Sequence, residues 1–162
     1  MNGSVIRRVV GYVLTLEALL LLLPCIVALY YNEQEGYAYL ASSAICLVLG
    51  GAMSLKKPKS NVFYLKEGCV ATALSWIVLS VFGAIPFVLT GEIPHFVDAL
   101  FETVSGFTTT GASILSDVET LANCTLFWRS FTHWIGGMGV LVFLLTLLPL
   151  TGGSHVNIMK AE

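Results

Sequence analysis

Four long apolar runs divide the chain: Val9–Tyr31, Tyr37–Leu55, Gly68–Leu89 and Leu126–Leu150. Each is near or above the ~20 residues that carry a helix across a bilayer core. The pattern predicts four spans. Pro24 sits near the outer end of the first, Pro86 lies in the last turn of the third, and Pro149 with Gly152 and Gly153 closes the fourth. Arg7, Arg8, Lys56, Lys57, Lys59, Lys66 and Lys160 fall on one side of such a membrane, which the positive-inside rule makes cytoplasmic, together with both termini. Arg129 is the one remaining basic residue. The opposite side receives Glu33, Glu35, Glu92, Asp98, Glu102, Asp117 and Glu119. An acidic outer mouth would concentrate cations, although Glu33 and Glu35 read as ordinary solvated loop acids.

The segment Thr90–Thr125 is longer than an ordinary connection. Pro94 suits a first helical position. Phe96, Val97, Leu100, Phe101, Val104 and Phe107 recur at helical spacing. They predict a helix over roughly His95–Phe107, about 20 Å long, which is too short to cross. The chain must then return through Thr108–Ser113, and irregular backbone at that depth has to be covered by protein or line a water-filled cavity. The run Phe101–Ser113, FETVSGFTTTGAS, therefore reads as a re-entrant helix that ends in a cation filter. A helix C-terminus carries partial negative charge, and consecutive carbonyls replace an ion's water. Thr108, Thr109 and Thr110 are β-branched and favour extended backbone. Gly111 permits positive φ, and Ala112 and Ser113 are small enough to pack on the way out. Carbonyls of Thr109, Thr110 and Gly111 are the expected ligands of a potassium-like ion, with Thr108 and Ala112 flanking them. A Gly-containing outer loop over an interfacial helix is the alternative.

Composition agrees with a membrane protein. The 162 residues are 56% hydrophobic and 11% charged, with net charge −2 and mean hydropathy +0.84, against roughly 25% charged in soluble domains. Nothing points to nucleic acid. Cys25, Cys46, Cys69 and Cys124 form no CxxC pair and read as small buried hydrophobes. The run after Arg7 and Arg8 is too long for a signal peptide and lacks a cleavage site, so it is read as a retained span. No metal-ligand spacing, nucleophile–base pair or Walker or Rossmann loop is present, so neither an enzyme nor a bound cofactor is expected.

A second signature, WIGGMG at Trp134–Gly139, lies beyond the filter candidate. Together with FETVSGFTTTGAS and Arg129 on the last span, it resembles the first pore repeat of the Trk/Ktr family of potassium uptake proteins, in the TrkH-like subunits. The two spans ahead of it, with basic flanks, resemble the extra N-terminal pair of TrkH-type members. The resemblance covers essentially the whole chain. It implies an all-α integral membrane protein of about four transmembrane helices plus one re-entrant pore helix and selectivity-filter loop. It divides the chain into a helix pair, residues 1–60, and a first helix–pore–helix repeat, residues 61–162. It implies potassium as the transported ion, with Gly111 at the filter-glycine position that goes with potassium preference. It also implies a multi-pass protein of the inner membrane, a dimer of the full-length form, and a cytoplasmic nucleotide-binding regulatory subunit. The family fold has four such repeats in one chain, and one is present here. A fragment of a longer chain is the expected reading. A stand-alone homotetrameric cation channel and a non-conducting truncated membrane remnant are the alternatives.

Other residues carry smaller expectations. Gly136, Gly137 and Gly139 allow close helix packing. Arg129 pairs with Glu102 or Asp117, or reaches the interface. Glu17, in the middle of the first span, is expected to make a structural hydrogen bond. His133 and Trp76, Trp128 and Trp134 are expected to serve in packing, and His95 and His155 flank helix ends.

Overall fold

A computed structural model describes residues 3–55 and 65–147, whose regular elements are all helices. The basic loop at 56–61, the Pro149–Gly153 stop, His155 and Lys160 lie outside the described residues. The helices are α1 (Gly3–Leu20), α2 (Leu22–Tyr31), α3 (Gly36–Leu55), α4 (Leu65–Thr90), α5 (Phe96–Phe107) and α6 (Asn123–Leu147). Among the described residues, Gly3–Tyr31, Gly36–Leu55 and Glu67–Thr90 are long and apolar enough to cross a membrane. The 25 residues of α6 span about 37 Å at the helical rise and correspond to the fourth predicted run. The 12 residues of α5 reach only about 18 Å.

The first span is two helices. Pro24 has no N–H for the Leu20 carbonyl and its ring crowds it. Leu21 nonetheless keeps right-handed backbone and its N–H reaches the Glu17 carbonyl at 2.9 Å, so the interruption is one residue long. α3 returns along α1 through a crossing of small residues. A Cβ on Gly50 would lie 2.8 Å from the Thr15 nitrogen and 2.9 Å from the Gly11 oxygen, so side chains there would hold the backbones apart. Ser43 adds a hydrogen bond from its Oγ to the Ala18 carbonyl at 2.7 Å. α4 packs on α1 and carries α5, and α6 closes against α5 and α2. Leu14, Leu21, Tyr39, Phe87, Phe107 and Trp128 fill the centre. Many large apolar side chains face outward, among them Leu29, Tyr30, Val48, Leu55 and Val97, as lipid-facing surfaces do and soluble ones rarely do.

The turn after α2 has a structural task that its sequence does not advertise. Asn32 takes left-handed backbone at φ 55° and ends the helix, a conformation its short polar side chain tolerates. This turn delivers Glu33 to the start of α6. Its carboxylate accepts hydrogen bonds from the Asn123 N–H at 2.8 Å, the Asn123 side-chain amide at 2.8 Å and the Cys124 N–H at 2.9 Å. Glu33 is thus the cap of a helix 90 residues away, not a free loop acid. Burial alone would raise its pKa, but the hydrogen bonds from Cys124 and Asn123 outweigh that and hold it below the ordinary carboxylate value. A lowered folded-state pKa stabilises above the unfolded value and is lost as pH falls through the folded one. Glu33→Ala is therefore expected to lower hydrogen-exchange protection at the first amides of α6 by about 2- to 5-fold near neutral pH. The difference from the parent protein should vanish below the lowered pKa. Equal protection at neutral pH would show that the cap is not stabilising.

Candidate functional site

The approach to α5 is built from a turn. α4 ends at Thr90, whose Oγ1 donates to the Phe87 carbonyl at 3.0 Å. Gly91 comes next, at φ 79°. His95 is extended, at φ −87° and ψ 120°, and Asp98 lies in the first turn of α5, where the positive end of the helix favours an acid. The helix then turns its polar side inward. Glu102, Thr103, Ser105 and Gly106 are buried, while Phe96, Val97, Phe101 and Val104 of the predicted apolar stripe are exposed. The inward polar groups have partners. Thr103 Oγ1 donates to the Ser80 carbonyl of α4 at 2.8 Å, and Ser105 Oγ to the Ala112 carbonyl at 2.6 Å. The outward face is apolar, and nothing among the described residues covers it.

Glycines set the depth at which α5 sits. A Cβ on Gly136 of α6 would run into the Phe107 carbonyl oxygen and lie 2.8 Å from the Phe107 carbonyl carbon. One on Gly106 would collide with Thr132 Oγ1. The Phe107 ring lies edge-on to Trp76 at 6.4 Å between centroids, and a Cβ on Gly83 would be 3.1 Å from it. The end of the short helix is therefore wedged between α4 and α6.

The turn beyond that end decides the chemistry. The Thr110 N–H returns to the Ser105 carbonyl at 3.0 Å and the Thr109 N–H to the Gly106 carbonyl at 2.9 Å, the paired bonds of a Schellman cap. The Gly111 N–H also turns toward Ser105, at 3.5 Å. No peptide among the described residues is cis, so each carbonyl points opposite to the N–H of the next residue. The oxygens of Thr108, Thr109 and Thr110 consequently face away from the helix end, that of Thr108 also accepting from Thr109 Oγ1 at 2.7 Å. The price of this arrangement is local strain. Thr109 is left-handed at φ 57°, a position that usually takes glycine, and a β-branched residue there costs about 1–3 kcal/mol. Thr108 is at φ −85° and ψ 0°. The expected extended backbone at Thr108 and Thr109 is thus corrected, because the helix cap demands a turn of alternating handedness. Gly111 has φ 76°, as its sequence position suggested. The Ala112 carbonyl is turned back to Ser105. Residues 108–114 are exposed in this chain.

The return strand is fixed by a buried acid. Glu102, only 1% exposed, accepts from Ser113 Oγ at 2.6 Å and from the Ile114 N–H at 2.7 Å on one oxygen, and from Arg129 Nε at 3.0 Å on the other. Farther on, Glu92 accepts from the Ala122 N–H at 2.6 Å. Glu33, Glu92 and Glu102 are therefore tied to the backbone leading to α6, so only part of the expected acidic mouth stays free. Of the two partners expected for Arg129, the structure has Glu102.

Other expectations have mixed outcomes. His133 Nδ1 is 2.9 Å from the Arg129 carbonyl one turn back, a packing role. Trp128 is buried between helices and gives its Nε1–H to the Gly83 carbonyl at 3.1 Å. Trp134 is exposed and stacks on Phe131. Glu17 is buried, yet neither carboxylate oxygen has a hydrogen-bond partner among the described residues, so the expected structural bond is not there. Cys46 and Cys124 are buried as expected, while Cys69 is exposed. No cluster of His, Cys, Asp or Glu with metal-binding geometry occurs among the described residues.

Known proteins share this architecture. The family described as TrkH, cation transport protein, matches residues 35–162. The Trk system potassium uptake protein TrkG of Escherichia coli is 35% identical, over 100% of this chain and 34% of its own length. An uncharacterized cation transporter of Methanocaldococcus jannaschii is 37% identical, over 91% of this chain and 31% of its own. The crystal structure of the potassium transporter TrkH from Vibrio parahaemolyticus superimposes with a TM-score of 0.86 at 31% identity, covering 96% of this chain and 34% of that one. The chain spans about a third of the length of the relatives it matches.

Proposed function

The chain belongs to the TrkH family of cation transport proteins, and from that premise we propose that it supplies one filter segment of a potassium uptake pore. It is a multi-pass membrane protein of a transport family, not an enzyme. The proposed filter is Thr108, Thr109, Thr110 and Gly111, acting mainly through backbone carbonyls, with Thr108 to Thr110 foremost, while Ala112, whose carbonyl is held by Ser105, closes the loop. One observation carries this reading: three successive N–H groups fold back onto the carbonyls of Ser105 and Gly106, so three successive oxygens face away from the helix end. A potassium ion sheds water only where several oxygens replace it at once. The C-terminal end of α5 adds negative potential behind them.

In this proposal residues 1–60 form an N-terminal helix pair and residues 61–162 a helix–pore–helix repeat. One repeat offers oxygens from one side only, so further repeats complete the ring. The clustering of basic residues outside the apolar runs supports an inner-membrane orientation with both termini cytoplasmic. The full-length protein is proposed to work as a dimer with a cytoplasmic nucleotide-binding regulatory subunit, as the family resemblance implies.

Gly111→Ser in the full-length protein tests the filter. A Cβ there meets nothing within 4 Å, so the serine fits, and what changes is the ease of the left-handed backbone and the filter wall. Rubidium uptake by potassium-starved cells should persist, while its preference over sodium falls about tenfold. An unchanged preference would overturn the filter assignment.

A further inference from the structure

We propose that Glu102 is a positioning residue for ion selection, holding the exit of the filter at a fixed distance from its entrance. The inference rests on the filter reading above. Glu102, Ser105 and Gly106 lie three and four residues apart and so share one face of α5. All three hold the loop beyond the helix. Ser105 and Gly106 fix its start through the backbone cap, Ser105 Oγ holds the Ala112 carbonyl, and Glu102 holds Ser113 and Ile114. Residues 108–112 thus form a closed span whose two ends are fastened to the same turn of one helix. Its oxygens cannot spread or close without breaking one of these bonds.

A buried carboxylate suits this task for a physical reason. Its hydrogen bonds are charge-assisted and roughly twice as strong as neutral ones, and one oxygen holds two consecutive residues of the exit strand. The charge is tolerated in the interior because Arg129 of α6 meets the other oxygen. Arg129 also ties the exit strand, through Glu102, to the same helix whose Gly136 contacts Phe107. Entrance, exit and inner helix are therefore registered to each other through one side chain. A carboxylate serving only as the partner of Arg129 would need neither Ser113 nor Ile114.

The test uses the full-length protein and compares Ser113→Ala, Glu102→Gln and Gly111→Ser, each with its amount in the membrane measured. Ser113→Ala removes one bond to Glu102, with the Leu115 N–H bond to the same hydroxyl, and leaves the ion pair. It is expected to keep near-parental protein levels and to lower potassium-over-sodium preference about two- to threefold. Glu102→Gln, which cannot pair with Arg129 as an ion, should lower it about three- to tenfold. If both variants keep parental selectivity while Gly111→Ser loses it, the positioning role is overturned and the filter reading stands. If Gly111→Ser also keeps it, the filter reading itself falls. Should Glu102→Gln fail to reach the membrane, Ser113→Ala alone decides between the two roles.

Discussion

In the proposed pore, Gly136→Leu is expected to abolish potassium uptake. Alanine would already place its Cβ against the Phe107 carbonyl oxygen, with the Gly106 oxygen 3.0 Å away. These obstacles are backbone atoms, so no side-chain rotation relieves the clash. Either α6 moves outward or the last turn of α5 is displaced. Overpacking of this kind costs roughly 1–3 kcal/mol even for a few methylenes, and leucine adds a full branched side chain at the point where the Schellman cap begins. The carbonyls of Thr108 to Thr110 would lose their common direction, so conduction should fail even in molecules that reach the membrane. Gly137→Ala is the matched control. Its Cβ would find only Thr109 Cγ2, at 4.0 Å, and a helical glycine replaced by alanine gains about 1 kcal/mol of propensity. Rubidium uptake at parental rates in Gly136→Leu would contradict the close approach of α6 to α5.

The second large effect is on stability. Trp128→Ala should destabilise the protein by about 3 kcal/mol, at the lower end of the 3–5 kcal/mol typical of a buried tryptophan. Trp128 is fully buried and bonds the Gly83 carbonyl. The lower figure reflects the solvent. In a bilayer the unfolded segment is still surrounded by hydrocarbon, so less transfer energy is lost, and what remains is the cavity and the interhelical hydrogen bond. Trp128→Phe should cost less, because the ring is partly kept. Thermal unfolding in detergent measures both. A Trp128→Ala midpoint within a degree of the parent would mean that α4 and α6 are held together by other contacts.

Much of this architecture was legible in the sequence because hydrophobic length is a local signal. The four apolar runs mark the long helices, and the spacing of Phe96 to Phe107 marks the short one to within a residue of its start. Gly111 was legible too, since a positive φ asks for glycine. Thr109 was not: β-branching argues for extended backbone, and the helix cap overrode that preference. The direction of the α5 stripe was equally hidden, because periodicity shows that one face is apolar without showing which face is covered. Glu33 reads as a solvated acid because a carboxylate capping an amide 90 residues on leaves no pattern in its own neighbourhood. Glu17 is the opposite case, a residue flagged for its position whose carboxylate remains without a partner among the described residues.

The long separation between Glu33 and the start of α6 also has a meaning in time. Ribosomes add roughly 5–20 residues per second, so about 5–20 seconds pass between the synthesis of Glu33 and that of the amides it will cap. During that interval α1, α2 and α3 can already be paired in the bilayer, with the carboxylate waiting at the rim. The helix pair then acts as a mould laid down first. α6 follows about 90 residues later, and finds the docking point for its first amides already in place.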